Sequence, residues 1–209
     1  MGRFGWTTVA VLWAAQALAP QVIEFDSNGL RYRTLTRNGV TIMFAHMPAQ
    51  IREYAILQVA VSNGSKTPTV VRPEDFVYRR ADGTEVRPRP AGAVVGELMQ
   101  RAGRNEVIRL VNVYESALYG IDRFRSNNGY EQRRQAAFAE MSNNKLKAAA
   151  AASAIAFVPM KLQAGDTTDG AVFFPTAGKP LGPGWLVARV AGAEFDFSME
   201  GDPGKPPVP

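Results

Sequence analysis

Few residues in this chain have the chemistry of a reactive centre, and their spacing limits what they can do. Of 209 residues one is histidine and none is cysteine. Without cysteine there is no disulfide framework, thiol nucleophile, iron–sulfur site or cysteine-built zinc site. A single imidazole cannot supply the paired histidines of many transition-metal and zinc-hydrolase centres. That imidazole, His46, lies in the stretch FAHMPAQ near a strand end. Acid–base work there would require an orienting carboxylate and a nucleophile beside it, and sequence places neither. His46 therefore reads as a structural or surface residue.

The remaining candidates are short matches. Ser142-Asn143-Asn144-Lys145 has the S-x-x-K spacing that sets a helical lysine over a serine nucleophile. The companion S-D-N and K-T-G signatures are missing, so the match reads as chance on a solvated helix surface. Asp166 and Asp169 bracket two threonines and could offer oxygens to Ca²⁺, but the pattern lacks the six to eight ligands of a tight site. Glu74-Asp75 reads as a turn. H-E-x-x-H, G-x-S-x-G and G-x-x-x-x-G-K-[ST] are all missing, which removes the main warrant for the corresponding hydrolase and phosphate-binding readings. No metal and no cofactor is expected.

Charge is mildly positive, with 24 Lys+Arg against 19 Asp+Glu. Arg79, Arg80, Arg87 and Arg89 lie on adjacent short strands, while Arg123, Arg125, Arg133 and Arg134 flank the start of a long helix. Strand alternation sends Arg79 and Arg80 to opposite faces, and Asp82, Glu85 and Glu131 interrupt the run. These are read as solvated charges, with an anionic envelope partner as the functional alternative; no nucleic-acid recognition module is present. The aromatics Tyr114, Tyr119, Phe124 and Tyr130 surround turns at Gly120 and Asn127-Asn128-Gly129. Core packing between helix and sheet is the reading they favour. Exposed together, they would make a sugar or protein contact, and Tyr114, Tyr119, Phe124, Arg125 and Tyr130 would then be the ligand- or partner-binding residues.

The elements that must position these groups follow from periodicity. Val22–Phe25, Leu30–Thr36 and Val40–Met47 are apolar runs bounded by Asn28-Gly29, Asn38-Gly39 and Pro48, and Asn-Gly tolerates the positive φ of tight turns. Glu53–Val61 puts Leu57, Val59 and Val61 on one face and ends in Ser62-Asn63-Gly64-Ser65. Thr69–Val71, Phe76–Arg79 and Glu85–Arg87 add short strands, the last pair joined through Asp82-Gly83. From Ala91 the pattern turns helical: Ala93–Ala102, Glu106–Tyr119 with VIRLVNV open to a strand reading, and Tyr130–Val158. The last has no Gly or Pro and abundant alanine. Its end, Ala148–Val158, is almost wholly apolar but too short to cross a bilayer. Strands return at Met160–Gln163 and Gly170–Phe174, and Trp185–Val190 with Glu194–Met199 forms a closing hairpin.

The N-terminus reads as a targeting signal. Arg3 precedes an apolar stretch from Trp6 to Ala15, followed by Ala15-Gln16-Ala17 and Ala17-Leu18-Ala19, both of signal-peptidase type. Cleavage after Ala17 keeps Pro20 away from the scissile bond. The expected organisation is a signal peptide at 1–17, one domain at 18–200 with a helical insertion at about 91–158, and an extended Pro/Gly-rich tail at 201–209. Export together with the lack of cysteine suggests a bacterial envelope protein, periplasmic or extracellular.

Two stretches carry a resemblance. VAVSNGSKTPTVVRPEDFVYRRADGTEVRP at 59–88 and MKLQAGDTTDGAVFFPTAGKPLGPGWLVARV at 160–190 resemble uncharacterised bacterial exported proteins with an immunoglobulin-like β-sandwich. In these an early strand ends in an N-x-S turn, and a late L-x-x-G-[DE]-T-x-x-G-x-V-x-F stretch makes a strand pair. Leu162, Gly165, Asp166, Thr167, Gly170, Val172 and Phe174 carry the second motif, with Gly165 expected to make the turn and Gly170 to start the strand. Related members carry an Ala-rich helical segment between the halves. The resemblance implies a mainly β protein with an α insertion: an immunoglobulin-like antiparallel β-sandwich interrupted by a helical segment. It also implies extracytoplasmic recognition or a structural role, with an envelope protein or polymer as partner.

The function expected from all this is a non-enzymatic binding or structural module of the bacterial envelope. One alternative is a hydrolase using scattered carboxylates on an envelope polymer, which a cleft with two carboxylates about 5–9.5 Å apart would support. Another is a membrane-peripheral protein docking through the Ala-rich helix, which an exposed apolar face with a basic rim would support.

Overall fold

The structure is a computed structural model that describes residues 21–47, 53–101, 109, 112–116, 126–139, 153 and 155–199. The expected signal at 1–17, the tail at 201–209, and Tyr119, Phe124, Arg125, Ser142 and Lys145 lie outside the described residues.

Asn-Gly turns set the first sheet. Asn28 and Gly29 have φ of 50° and 76°, and Asn38 and Gly39 repeat the same pair of values. Both central residues at positive φ match the right-handed twist of an antiparallel pair, so each dipeptide joins two strands with a two-residue turn. The strands so joined are β1 (Ile23–Ser27), β2 (Leu30–Arg37) and β3 (Val40–His46). β4 (Tyr54–Asn63) pairs with β3, and β9 (Thr167–Pro175) pairs with β4, giving the order β1-β2-β3-β4-β9, antiparallel throughout.

A second sheet has the order β11-β10-β6-β7, with β6 (Phe76–Arg80), β7 (Glu85–Val86), β10 (Gly184–Val190) and β11 (Ala193–Ser198). β5 (Thr69–Val71) and β8 (Met160–Leu162) form a separate two-stranded pair. The two larger sheets share one core. Leu35, Ile42, Phe44, Leu57, Val59, Val172 and Phe174 come from the first, and Phe76, Tyr78, Leu186, Ala188, Phe195 and Phe197 from the second. Phe44 and Phe197 meet edge-on across it with ring centroids 4.9 Å apart. The fold is thus mainly β, of several antiparallel sheets packed in a sandwich-like way with short helices interspersed.

The alternation in β4 is not the whole story. Leu57, Val59 and Val61 face the shared core, but Ile56, Gln58 and Ala60 on the other face are buried too. A helical layer covers that second face. α1 (Ala91–Arg101) lays Val94 on it, with Ala91 and Val95 half-buried beside it, the i, i+3, i+4 stripe of an amphipathic helix. The Arg89 N–H donates to the Phe173 carbonyl at 2.8 Å, and Tyr54 donates to Glu97 of α1 at 2.5 Å, anchoring the helix start to β9 and β4. Residues 112–116 are helical, and α2 runs Tyr130–Ala139.

Two sequence expectations change here. Helix was expected through Val158, but Ser153 and Ile155 are helical while Ala156 already bridges to Ala171 of β9. The Phe157 N–H then donates to the Ala171 carbonyl at 2.9 Å. Burial of Phe157 against Phe76, centroids 5.5 Å apart, outweighs the local helix preference of the alanines, and Pro159 bars continuation. Gly170 was expected to start its strand; it sits inside β9 instead. A β-carbon there would fall 2.3 Å from Phe157 Cα, so the missing side chain makes room for the crossing chain. At this point the chain passes from the helical layer, where Ile155 and Ala156 pack, to the sheet–sheet core, where Phe157 packs.

The two motif stretches meet physically at Asn63, which is fully buried. Its side-chain amide donates to the carbonyls of Thr67 at 2.8 Å and Leu162 at 3.1 Å, and its oxygen accepts from the Ser65 N–H and hydroxyl. Its backbone N–H donates to Asp166 at 2.9 Å and its carbonyl accepts from Gly165 at 2.6 Å. The N-x-S turn is therefore a clamp on the turn before β9.

Candidate functional site

Two polar constellations stand out, one sealed and one open. The sealed one lies between the first sheet and the helical layer. Strand alternation sends Asp169 of β9 to that face, one position from Thr168 and opposite Ala60. Asp169 is 1% exposed, and it accepts hydrogen bonds from the Tyr114 hydroxyl and, at 2.8 Å, from the Asn128 amide. Burial pushes its carboxyl above the ordinary range; the hydroxyl groups of Ser126 and Tyr114 and the charge of Arg133 oppose that shift. Asn128 also donates to the Asp169 carbonyl at 2.8 Å and caps α2 by accepting from the Tyr130 N–H at 2.9 Å.

Tyr114 and Tyr130 belong to the same sealed layer. Tyr114 has no exposed surface and Tyr130 almost none, and their rings lie 6.3 Å apart. The Tyr130 hydroxyl donates to Glu115, which pairs with Arg134 at 2.8 Å. Further along the sheet, Tyr32 donates to Gln58 at 2.8 Å, both side chains buried, and desolvation raises the Tyr32 pKa far above its usual value. The structure thus brings Tyr114 and Tyr130 together as packed, hydrogen-bonded groups rather than as exposed area. Their expected companions Tyr119, Phe124 and Arg125 lie outside the described residues.

The open constellation is a cleft of about 520 Å³. β11 lies across β2 and β3, where Arg37 donates to the Glu194 carbonyl at 2.6 Å and Phe44 meets Phe197. The inner face of β1 and the neighbouring end of β2 and β3 project past it. Arg31, Arg33, His46 and Asp26 line the cleft on this sheet, and Phe44, Leu181 and Met199 line its apolar side. Arg31 pairs with Asp26 at 3.3 Å, and Arg33 with Glu24 at 2.5 Å. In each pair the arginine commits its Nε nitrogen, and among the described residues the far edge of the guanidinium carries no hydrogen bond. Arg33 is 8% exposed and its orientation is held by packing; Arg31 is largely in solvent. His46 keeps an exposed edge, while desolvation of the ring lowers its pKa, so near neutral pH it offers a hydrogen bond rather than a charge.

Sequence reasoning passed over Arg31 and Arg33, although a signal was present. Reflection about the Asn28-Gly29 turn pairs Asp26 with Arg31 and Glu24 with Arg33, the register the strands adopt. Opposite charges directly across a hairpin share one face. The two candidate calcium ligands have structural roles. Asp166 accepts from the Gln163 N–H at 2.8 Å and from Asn127 at 2.8 Å, closing the turn before β9 while Asp169 is buried behind it. Among the described residues no three His, Asp or Glu side chains gather as a metal-ligand set. One carboxylate, that of Asp26, lines the cleft among the described residues, and no helix among them is long and apolar enough to cross a membrane.

Fold and cleft together define a mainly β protein of antiparallel sheets with a helical layer on one face and a polar cleft at the far end of the other. No family model matches the chain, and no curated protein matches it. Among solved structures, the crystal structure of the yjhA protein from Bacillus subtilis is similar with a TM-score of 0.32 and 11% sequence identity, over 80% of this chain and 77% of that one.

Proposed function

We propose that this chain is an exported, non-enzymatic binding module of the bacterial cell envelope, built on an immunoglobulin-like sandwich. The observation that carries the reading is the cleft under β1–β3. Its charged groups are neutralised in pairs along a hairpin, the Arg33–Glu24 pair packed and the Arg31–Asp26 pair open to solvent, and apolar residues line the same cleft. The leader-like first seventeen residues and the cysteine-free composition support the envelope as its place of work. The helical layer braces the sheet from behind, so that β4 and β9, buried on both faces, hold the cleft strands in place. Under this reading the partner is an envelope protein or polymer.

The test is to produce the full chain in a bacterial host, fractionate the cells and determine the N-terminal residue. The reading expects a periplasmic or secreted protein beginning at Leu18, and no products on incubation with cell-wall polymer. A cytoplasmic protein that retains its leader, or release of soluble fragments from the polymer, contradicts it.

A further inference from the structure

We infer that the cleft binds the carboxylate of a small organic acid, held by the free guanidinium edges of Arg31 and Arg33 with its apolar body against Phe44, Leu181 and Met199. This goes beyond the proposed binding function, whose partner is an envelope protein or polymer, by giving the same cleft a small-molecule ligand, and it rests on that reading. A guanidinium has five N–H donors in a planar fork. Glu24 and Asp26 each occupy the Nε side of one arginine, which leaves the two terminal nitrogens of each as a parallel pair of donors. That edge matches the two oxygens of a carboxylate. Alternation along β2 puts Arg31 and Arg33 on the same face, side by side, and Phe44 lies opposite Arg33 on β3.

His46, two residues after Phe44 on the same face of β3, lines the cleft beside it. Phe44 and Leu181 are almost wholly buried and reach the cleft only at its floor, while Met199 is half-buried beside them. The volume suits a compact ligand with one ring or a short chain. The paired acids make the cleft close to neutral. Binding is therefore governed by matched geometry more than by long-range attraction, and it depends on the anion presenting two coplanar oxygens.

The experiment is an amide NMR titration of residues 18–209 with 4-phenylbutyrate and, in parallel, with 4-phenylbutan-1-ol, which has the same body without the carboxylate. The inference expects saturable shifts at 26–33, 44–46 and 180–182 with the acid, and binding at least about tenfold weaker with the alcohol. Arg33→Gln and Arg31→Gln should each weaken the acid by about tenfold or more. Arg31 is exposed, so its variant keeps the test independent of any folding defect in the other. Equal binding of acid and alcohol, shifts confined to other residues, or no shift at all overturns the inference. An exported, catalytically inert protein that fails this titration refutes the ligand class alone, whereas release of fragments from cell-wall polymer refutes the function it rests on.

Discussion

Gly170 and Phe157 occupy one space: a β-carbon on the glycine would stand 2.3 Å from the Cα of the phenylalanine and 2.5 Å from its nitrogen. The contact is backbone, which cannot swing aside. Through it the chain leaves the helical layer and enters the core between the sheets, while the Phe157 N–H closes the edge of β9. Gly170→Ala should therefore cost about 3 kcal/mol of unfolding free energy, by forcing this crossing outward. Gly96→Ala in α1, where nothing lies within 4 Å, should instead stabilise by about 0.5–1 kcal/mol. Urea unfolding of both variants measures the contrast.

Asn63 makes its hydrogen bonds to both motif stretches at once. Asn63→Ala would strand the buried carbonyl of Leu162 and free the 64–67 turn, at a cost of about 2–3 kcal/mol. Because Asn63 also carries backbone bonds to Gly165 and Asp166, the loss should appear as weakened amide protection at both turns in hydrogen exchange.

The buried carboxylate of Asp169 ties stability to pH. Its folded pKa is raised by burial, so the native state holds the proton more tightly than the unfolded chain does. The stabilising contribution is complete below the unfolded carboxyl range, near about pH 4, and declines as pH rises through the folded value. Tyr114, Ser126, Asn128 and Arg133 face this group and limit the size of the decline. Asp169→Asn removes the titration. Relative to the variant, the native protein should lose stability in denaturant unfolding as pH rises above about 4, the unfolded carboxyl range.

Ala191 has φ of 51° ahead of Gly192 at 69°, the same turn as Asn28-Gly29 but with a residue ill suited to it. Asparagine tolerates the left-handed region better than alanine does. Ala191→Asn should raise stability by about 0.5–1 kcal/mol, visible as a higher Tm.

Much of the β framework was legible in the sequence because its signals are local. Asn-Gly pairs, alternation in 194–199 and short apolar runs gave strands within a residue or two of those observed, including the closing hairpin, except that β9 begins three residues before the expected Gly170. The end of the alanine-rich helix was not legible. The acceptor that captures Phe157 is the Ala171 carbonyl on β9, and nothing near 157 in the chain announces it. The second buried face of β4 was missed for the same reason: its cover comes from helices that begin some thirty residues later. The cleft pairs could have been read by reflection about Asn28-Gly29, whereas the wall that Leu181 and Met199 supply is a product of the packing of two sheets.

The measurement that bears most directly on the functional account is calorimetric titration of the mature chain with soluble cell-wall fragments, followed by mass spectrometry of the recovered fragments. The account predicts saturable binding that Arg33→Gln weakens by about tenfold or more, with every fragment recovered at its original mass. Fragments returned shortened, or binding that the arginine substitution leaves unchanged, would contradict it.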